Sequence, residues 1–478
     1  MELRATLESP LPRALPTGLS TAVFCYGTCF HTEERVKRLA ILVDGAPHAP
    51  AAWRMPRILD DGLGRRSYRS GYWVTVPVRT GERPGTVELS AAVRLASGRE
   101  LVAPLARIQV VVEHGRSPSH EGRGAHDLIA VCMGSYDPDP ELFRVQVESL
   151  RAQTDRRWIC LISDDHSSPE RFADIERTVG DDRRFVVSRS ERRLGFYRNF
   201  ERALGMVPAE ASLVALCDQD DRWRPDKLET LRGALGQSLL VYSDQRLVGR
   251  DGRILRETLW EGRRNNHTNL ASLLVANTLT GAATLFRREL AELALPFPDT
   301  PGLQFHDHWL ALVALAAGDI GYFDRPLYDY VQHPGAVFGE VTSEAKAAAT
   351  RPSLRGFMHR WRSAYFYGYL GREVQAQVLL ARCSGRLTPR KRRALERFVN
   401  SDRSPLALAW LAARPLRCLV GRTETLGSEL DFVRGLLWRR LLLLRASWPG
   451  RPRVDASFPR VGPESFEQRR LRRWRSRI

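Results

Sequence analysis

The sequence predicts an α/β domain built on a mainly parallel sheet, preceded by a small β-sandwich and followed by a helical, strongly basic region. Three observations lead there. Between residues 128 and 217, short apolar runs alternate with amphipathic stretches. Before residue 120, the apolar runs are short, partly alternating, and split by Gly- and Pro-rich turns. After residue 350 there are 29 Lys and Arg against 9 Asp and Glu, whereas residues 1–350 hold 44 against 46, so the net charge of +18 resides entirely in the last part. A chain of 478 residues exceeds one ordinary core. The expected divisions are 1–120, 121–345 and 346–478.

In the first division, residues 73–78, 86–93 and 108–112 read as strands, and 39–45 as a strand entering a turn. Short strands separated by turn residues predict a sandwich. Its residues leave two roles open: scaffold or oligomerisation unit, and glycan- or acceptor-binding unit. Residues 114–126, polar and rich in Gly, Arg, Ser and Pro, read as a linker.

In the second division, strands are expected at 128–133, 158–163, 185–187 and 213–217, with helices over 141–152, from about 169, over 197–207 and from about 225. Such alternation places a ligand beyond the carboxyl ends of the strands, where Tyr136, Asp164, Asp165, Asp218 and Asp220 would converge. The most telling run is Leu213-Val214-Ala215-Leu216-Cys217 entering Asp218-Gln219-Asp220-Asp221. Clustered carboxylates repel, so a divalent cation with hard oxygen ligands is their natural partner. The plain alternative is a solvated acidic turn capping the next helix. No G-x-G-x-x-G or Walker pattern follows the first strand, which excludes dinucleotide and P-loop sites. A signalling receiver domain also carries strand-end carboxylates, but it has no need of the long region that follows.

The seven cysteines form no disulfide scaffold: Cys132, Cys160 and Cys217 sit inside apolar strands, and Cys25 and Cys29 lack the second ligand pair of a zinc site. Neither an apolar leader nor a 20-residue apolar span is present, so a cytoplasmic, reducing location is expected. In the third division Trp361, Tyr365, Phe366, Tyr367 and Leu370 cluster, followed by Arg390-Lys391-Arg392-Arg393, a Leu/Trp/Arg helix over 432–446, and arginines from 469 to 477. Leu and Trp beside Arg make an interfacial helix at an anionic membrane surface, and so a peripheral protein at the inner face of the membrane. The competing expectation is a helical cap on the central domain. Only four lysines occur, so part of the arginine content is compositional. No nucleic-acid-binding module is present, and nucleic acid is not an expected partner.

Residues 127–340 resemble a family 2 glycosyltransferase with the GT-A fold, in particular its bacterial rhamnosyltransferase-like members. The resemblance rests on Ser135-Tyr136-Asp137, Asp164-Asp165-His166-Ser167, Leu194-Gly195-Phe196-Tyr197-Arg198-Asn199-Phe200 and Asp218-Gln219-Asp220-Asp221, then Thr280-Gly281-Ala282, His306-Asp307-His308-Trp309 and Tyr330-Val331-Gln332-His333. It implies a metal-dependent, inverting transfer from a nucleoside diphosphate sugar, rhamnose among the donors, to a hydroxyl of a growing cell-surface glycan or lipid-linked glycan.

The implied roles follow the motifs. Tyr136, Asp164 and Asp165 line the nucleoside pocket, Gly195 and Asn199 run beside the donor, and Arg198 adds charge near phosphate. Asp218 bonds the ribose, and Asp220 binds Mg2+ or Mn2+ with His333 as a further metal or diphosphate contact. Asp221 acts through a water or caps the following helix, while Trp223 packs under the loop. Thr280, Gly281, His306, His308 and Trp309 lie on the acceptor side. Asp307, in the first turn of an apolar helix, is the general base. Three departures stand out: Arg193 replaces a polar residue, Val331 an Arg, and Ala336 an Asn. A zinc site from His306-Asp307-His308 is awkward, because adjacent helical positions point in different directions. Two alternatives remain: a hexosyl or N-acetylhexosaminyl transferase of the same fold, and a non-catalytic carbohydrate-binding scaffold.

Overall fold

The computed structural model describes residues 2–57, 67–112, 128–260, 264–302, 304–333 and 354–446. The expected linker over 114–126, position 336 and the arginines beyond 446 lie outside the described residues.

Nine strands form the N-terminal unit: β1 (Leu3–Leu7), β2 (Ala14–Pro16), β3 (Ser20–His31), β4 (Val36–Val43), β5 (Ala46–His48), β6 (Ala52–Met55), β7 (Gly71–Arg79), β8 (Gly85–Leu95) and β9 (Glu100–Val111). They make two sheets, ordered β1-β3-β7-β6 and β2-β9-β8-β4-β5, antiparallel except for the β2–β9 pair. Val23, Cys25, Val74 and Val76 from one sheet meet Ile41, Leu89 and Ala91 from the other in a common core. Successive strand residues face opposite ways. Ala22, Phe24, Tyr26 and Trp73 therefore point out of the sandwich, and they join the core of the rest of the chain. Both faces of β3 and β7 are covered, which explains their continuous rather than alternating burial.

The central sheet contains β10 (Leu128–Ser135), β11 (Trp158–Asp164), β12 (Phe185–Arg189), β13 (Ala211–Cys217), β14 (Arg222–Trp223), β15 (Leu240–Gly249), β16 (Ile254–Arg256), β17 (Thr284–Arg287) and β18 (Ile320–Gln332). Its order is β12-β11-β10-β13-β17-β15-β18-β14, with β16 paired to β15. The pairs among β10, β11, β12 and β13 are parallel, as is β15–β18, while β17 runs antiparallel between β13 and β15. Helices α1 (Pro140–Arg151), α2 (Pro169–Val179) and α3 (Phe196–Gly205) lie within a residue or two of the stretches read from periodicity. Asp139 and Ser168 cap the first two, and each is followed by Pro at the first helical position. Helix α4 (Lys227–Ala234) starts two residues late, because Arg222 and Trp223 pair with Asp329 and Tyr328 of β18. Helices α5 (Leu270–Val275), α6 (Arg288–Ala294) and α7 (His306–Ala317) complete this part.

The C-terminal part contains α8 (Leu354–Ser363), a π-helical stretch (Ala364–Tyr369), α9 (Leu370–Arg382), α10 (Pro389–Asn400), α11 (Pro405–Ala413), a 3-10 turn (Arg414–Val420) and α12 (Glu429–Ala446). It wedges between sandwich and central sheet. Trp73 Nε1 donates to Tyr365 Oη at 3.0 Å, and Thr75 Oγ1 to Glu373 Oε2 at 2.8 Å. The Arg390–Arg393 run serves packing in part: Lys391 Nζ donates to the Gly318 carbonyl at 2.7 Å, a cation at the carboxyl end of α7.

The helix expected over 432–446 is present as α12, and one side of it is packed against the rest of the chain. Phe432, Leu436, Trp438 and Leu442 are buried, and Trp438 packs on Tyr365 and Phe366 at 6.0 and 5.6 Å between ring centroids. A Cβ on Gly435 would lie 2.5 Å from the Tyr365 nitrogen, so glycine lets α12 press directly on that backbone. The described side of α12 that carries Trp438 is a packing face. Among the described residues, no helix is long and apolar enough to cross a membrane.

This packing makes a testable statement. Trp438→Ala should lower stability by about 3–5 kcal/mol, as large aromatic deletions in cores do. Leu437→Ala, on the exposed side, should cost about 0.5 kcal/mol or less. Urea unfolding followed by tryptophan fluorescence and far-UV dichroism checks the contrast; equal losses would contradict the burial of Trp438.

Candidate active site

The apolar run of β13 ends at Cys217, and the next four residues carry three carboxylates into one place. Asp221 is 1% exposed. Its Oδ1 accepts from the Val331 amide at 3.2 Å, while its Oδ2 is buried with no hydrogen-bond partner among the described residues. It is not the helix cap, since Asp226 occupies that position in α4. Burial raises the Asp218 carboxyl to about 7, with further upward pushes from Asp220 and Asp307. Asp221 is raised by burial and then by Asp218 and Asp220. Negative charge here is accommodated only with opposite charge nearby.

Lys227 supplies one such charge. It is fully buried, donates to the Ala282 carbonyl, and places Nζ 3.3 Å from the Trp223 ring centroid and 4.8 Å from that of Tyr328. Burial lowers its ammonium to about 7, against the opposing pull of Cys217, Asp221 and Asp218. Trp223 thus packs under the loop as expected, and holds the lysine as well.

His333, just past β18, meets Asp220 with Nε2 2.8 Å from Oδ2. Gln219 locks the acidic turn to the end of β10: the Tyr136 amide donates to its Oε1 at 2.8 Å, and its Nε2 donates to the Tyr136 carbonyl at 3.2 Å. The Tyr136 ring is half-exposed, and the Arg193 guanidinium lies 4.0 Å from its centroid. Asp165 accepts from the Leu194 and Gly195 amides at 2.5 and 2.9 Å, so the segment carrying Arg193 is pinned to the end of β11. Gly195 has φ +82°, a conformation that favours glycine.

Across the cleft, Asp307 opens α7. Its carboxyl is raised to about 6, chiefly by burial, against the His308 and Gly281 amides, the Arg372 guanidinium and the Asn277 side chain, which all favour the ionised form. A Cβ on Gly281 would sit 2.8 Å from His306 Nε2 and 3.4 Å from Asp307 Cβ, so this close approach needs glycine. Thr280 bonds Tyr328 and immediately precedes the turn that carries Gly281. The flanking histidines diverge. His306 stacks on Phe200 at 3.7 Å and is lowered to about 3 by burial. The His308 ring turns inward, 2.6 Å from the Leu273 carbonyl, and burial also lowers it. Neither imidazole competes with Asp307 for a proton near neutral pH.

Tyr136, Asp165, Gly195, Asp218, Asp220 and His333 are thus linked along one rim, and Thr280, Gly281, His306 and Asp307 along the other. Five residues singled out in the sequence do not reach it, the inward-turned His308 among them. Arg198 lies 100° around α3 from the sheet-facing Asn199, and its guanidinium bonds Glu201, Asp299 and the Phe297 carbonyl at 3.0 Å. Trp309 is fully buried, its Nε1 donating to Ala294. Asn199 and Asp164 are buried girders: Asn199 donates to the Ser135 and Ser163 carbonyls, and Asp164 accepts from Ser167. Both hold strand ends in place. Arg372, Gln219, Asn277 and Lys227 went unnoticed as site residues. Only Lys227 had a local signal, a lone lysine among apolar helix positions.

The donor set suits a hard divalent cation with few protein ligands. Asp220 and His333 are in contact, and the unpartnered Asp221 Oδ2 is a further acceptor nearby; substrate phosphates commonly fill the remaining positions. Among the described residues, no group of three His, Cys, Asp or Glu forms a complete cage.

Residues 131–293, about a third of the chain, match the family model "Glycosyl transferase family 2". By that match this segment is similar to family 2 glycosyltransferase domains. Its curled, mainly parallel sheet is the GT-A fold. The match includes Tyr136, Asp165 and Asp218–Asp221 but stops before Asp307 and His333. No curated protein matches the chain. Two solved structures overlap it loosely. One is S. aureus TarS 1-349 in complex with UDP-GlcNAc, at 15% identity over 66% of this chain and 92% of that one, with a TM-score of 0.38. The other is the mannosyltransferase PcManGT from Pyrobaculum calidifontis in complex with GDP-Man and Mn2+, at 16% identity over 69% and 92%, with a TM-score of 0.37. Overlap that loose carries nothing about donor or metal.

The charge balance around Lys227 is open to measurement. Lys227→Met should destabilise the protein by about 3 kcal/mol near pH 7, where the ammonium still holds part of its charge, because removing one partner leaves buried carboxylates uncompensated. A carboxyl whose folded pKa is raised opposes folding as pH climbs through that value. The deficit should therefore shrink as pH falls from 7 to 5, where Asp218, raised to about 7, takes up its proton. Melting temperatures of parent and variant across this range decide it; a deficit independent of pH would mean that Lys227 only fills space.

Proposed function

We propose that this protein transfers a sugar, with inversion, from a nucleoside diphosphate donor to a hydroxyl of a bacterial cell-surface glycan or lipid-linked glycan, using Mg2+ or Mn2+. The observation that carries the reading is the meeting of Asp218 and Asp220, at the end of β13 in the segment that matches the family 2 model, with Asp307, at the start of α7 beyond that match, in one electrostatic cluster. An acceptor base facing a diphosphate site is what a single displacement requires.

In this reading Asp220, with His333, would hold the cation, which when bound would supply positive charge beside the diphosphate. Asp218 accepts a ribose hydroxyl. Tyr136 and Arg193 offer a ring face and a cation to the base, while Asp165 fixes the loop that carries Arg193. On the far rim Asp307 takes the acceptor proton as the oxygen attacks the anomeric carbon opposite the leaving group. Gly281 lets the backbone lie close beside that carboxylate. Arg372 holds Asp307 ionised without touching substrate, so it is a positioning residue. Rhamnose is the donor sugar implied by the sequence motifs, and a panel of nucleotide sugars with product masses identifies it.

Asp220→Asn should nearly abolish turnover and raise the Mn2+ concentration needed for half-maximal rate, with a metal-free melting temperature no lower than the parent's, since one of the repelling charges is gone. Full turnover at limiting Mn2+ would remove Asp220 from the metal site.

For the base, the rate should fall as pH drops through about 6, where Asp307 takes up a proton. Asp307→Asn should lower transfer by about 10²–10⁴-fold with little change in donor affinity. Arg372→Gln should move the acid limb to higher pH, since a cation favouring the carboxylate is gone. Rate–pH profiles of parent, D307N, R372Q, H306A and H308A separate the candidates. Loss of transfer in either histidine variant, with D307N near normal, would make Asp307 structural.

A further inference from the structure

Helix α11 contains no polar side chain: its sequence is Pro-Leu-Ala-Leu-Ala-Trp-Leu-Ala-Ala. A helix apolar all round belongs in an interior. Here Ala407, Leu408 and Leu411 are buried, while Leu406 on the other side is 84% exposed and Ala409, Ala412 and Ala413 are exposed with it. The chain continues through the 3-10 turn Arg414–Val420, where Leu416, Leu419 and Val420 are 64%, 80% and 76% exposed. Of the fifteen exposed large hydrophobic residues among those described, eight lie between positions 406 and 441. Single exposed leucines are ordinary; a concentration of them marks an interaction surface.

Charge identifies the partner. Residues 403–423 hold four arginines and no acidic residue. Arg414 and Arg417 turn inward: both donate to Ser272 Oγ at 2.8 Å, and they pair with Glu429 and Glu424 at 3.3 and 2.7 Å. Those bonds hold the turn rigid, so that the apolar side chains between them project. Arg403 and Arg422 stay exposed at the ends of the stretch, and Arg264 lies exposed beside Gly421. Protruding leucines flanked by arginines suit an interface with apolar depth and anionic headgroups. In a twofold pair of copies, the same patch would face itself and oppose arginine to arginine.

We propose that the shoulder formed by α11 and residues 414–420 docks on an anionic lipid surface. This deepens the transferase reading by naming the face through which the enzyme meets a lipid-borne acceptor. Ser272, which anchors both inward arginines, belongs to α5, and the neighbouring Leu273 carbonyl lies 2.6 Å from His308 Nε2 in the residue following Asp307. The shoulder and the acceptor-side carboxylate therefore share one hydrogen-bonded frame.

The test is flotation of the purified full-length chain with phosphatidylcholine vesicles, with and without phosphatidylglycerol. The parent should float with the anionic vesicles and be released by high salt. The double variant L419E/V420E, and separately L406E, should reduce flotation by about tenfold or more, because each places a carboxylate where an apolar side chain would enter the interface. Far-UV dichroism and nucleotide release with a soluble acceptor should match the parent. Equal flotation of parent and variants would overturn the proposal, as would loss of flotation only on deletion of residues 447–478. A parent dimer that the variants dissociate, with flotation unchanged, would assign the patch to a second copy and also overturn it. A parent that floats but releases no nucleotide would sink the transferase reading and leave the docking face standing.

Discussion

The arrangement of this protein turns on a concentration of like charge at the end of a buried strand. Water would solvate Asp218, Asp220 and Asp221 cheaply, yet β13 delivers them into a fold where Asp221 is almost wholly covered. Repulsion and desolvation raise Asp218 and Asp221, and Asp307 adds to the load on Asp218 from across the cleft. The fold answers with a buried ammonium, held over two aromatic rings and against a backbone carbonyl. One lysine does not neutralise four carboxylates. The residual negative potential is what draws a divalent cation into such a place.

Around that centre, the loops at the strand ends are tied to one another rather than left to the solvent. Gln219 joins the acidic turn to Tyr136, Asp165 joins β11 to the turn before α3, and Asn199 reaches back from α3 to two strand ends. Asp165 and Asn199 are themselves buried, where hydrogen bonding is most strongly required, while Gln219 is half-buried. The cleft is therefore preorganised by residues that need not touch substrate.

The second rim depends on more distant parts of the chain. Arg372, on α9, influences Asp307, and its neighbour Glu373 accepts from Thr75 of the N-terminal sandwich. A Cβ on Gly371 would lie 2.5 Å from the Pro301 carbonyl, so α9 runs in direct contact with the segment leading to α7. The sandwich, the C-terminal helices and the Asp307 carboxylate form one mechanical unit, which gives the sandwich a structural reason to accompany the central domain.

Local pattern determined much of this. The apolar runs before Ser135, Asp164 and Asp218 were legible as strands because a buried parallel strand needs a continuous apolar stretch, and their polar ends followed. The acidic turn, Tyr136, Gly195 and the helix at Asp307 were legible for the same reason: their signals span a few adjacent residues. What stayed hidden was decided by contacts across long separations. Arg198 and Asn199 are neighbours in sequence, yet the helix turns one to the sheet and the other to Glu201 and Asp299. Trp438 and Leu419 belong to similar Leu/Arg-rich segments, yet packing on Tyr365 and Phe366 buries the first, and the turn after α11 leaves the second in solvent. Composition sets how much apolar surface and charge a segment carries; only the tertiary structure decides which face finds a partner, because burial belongs to the neighbours as much as to the residue.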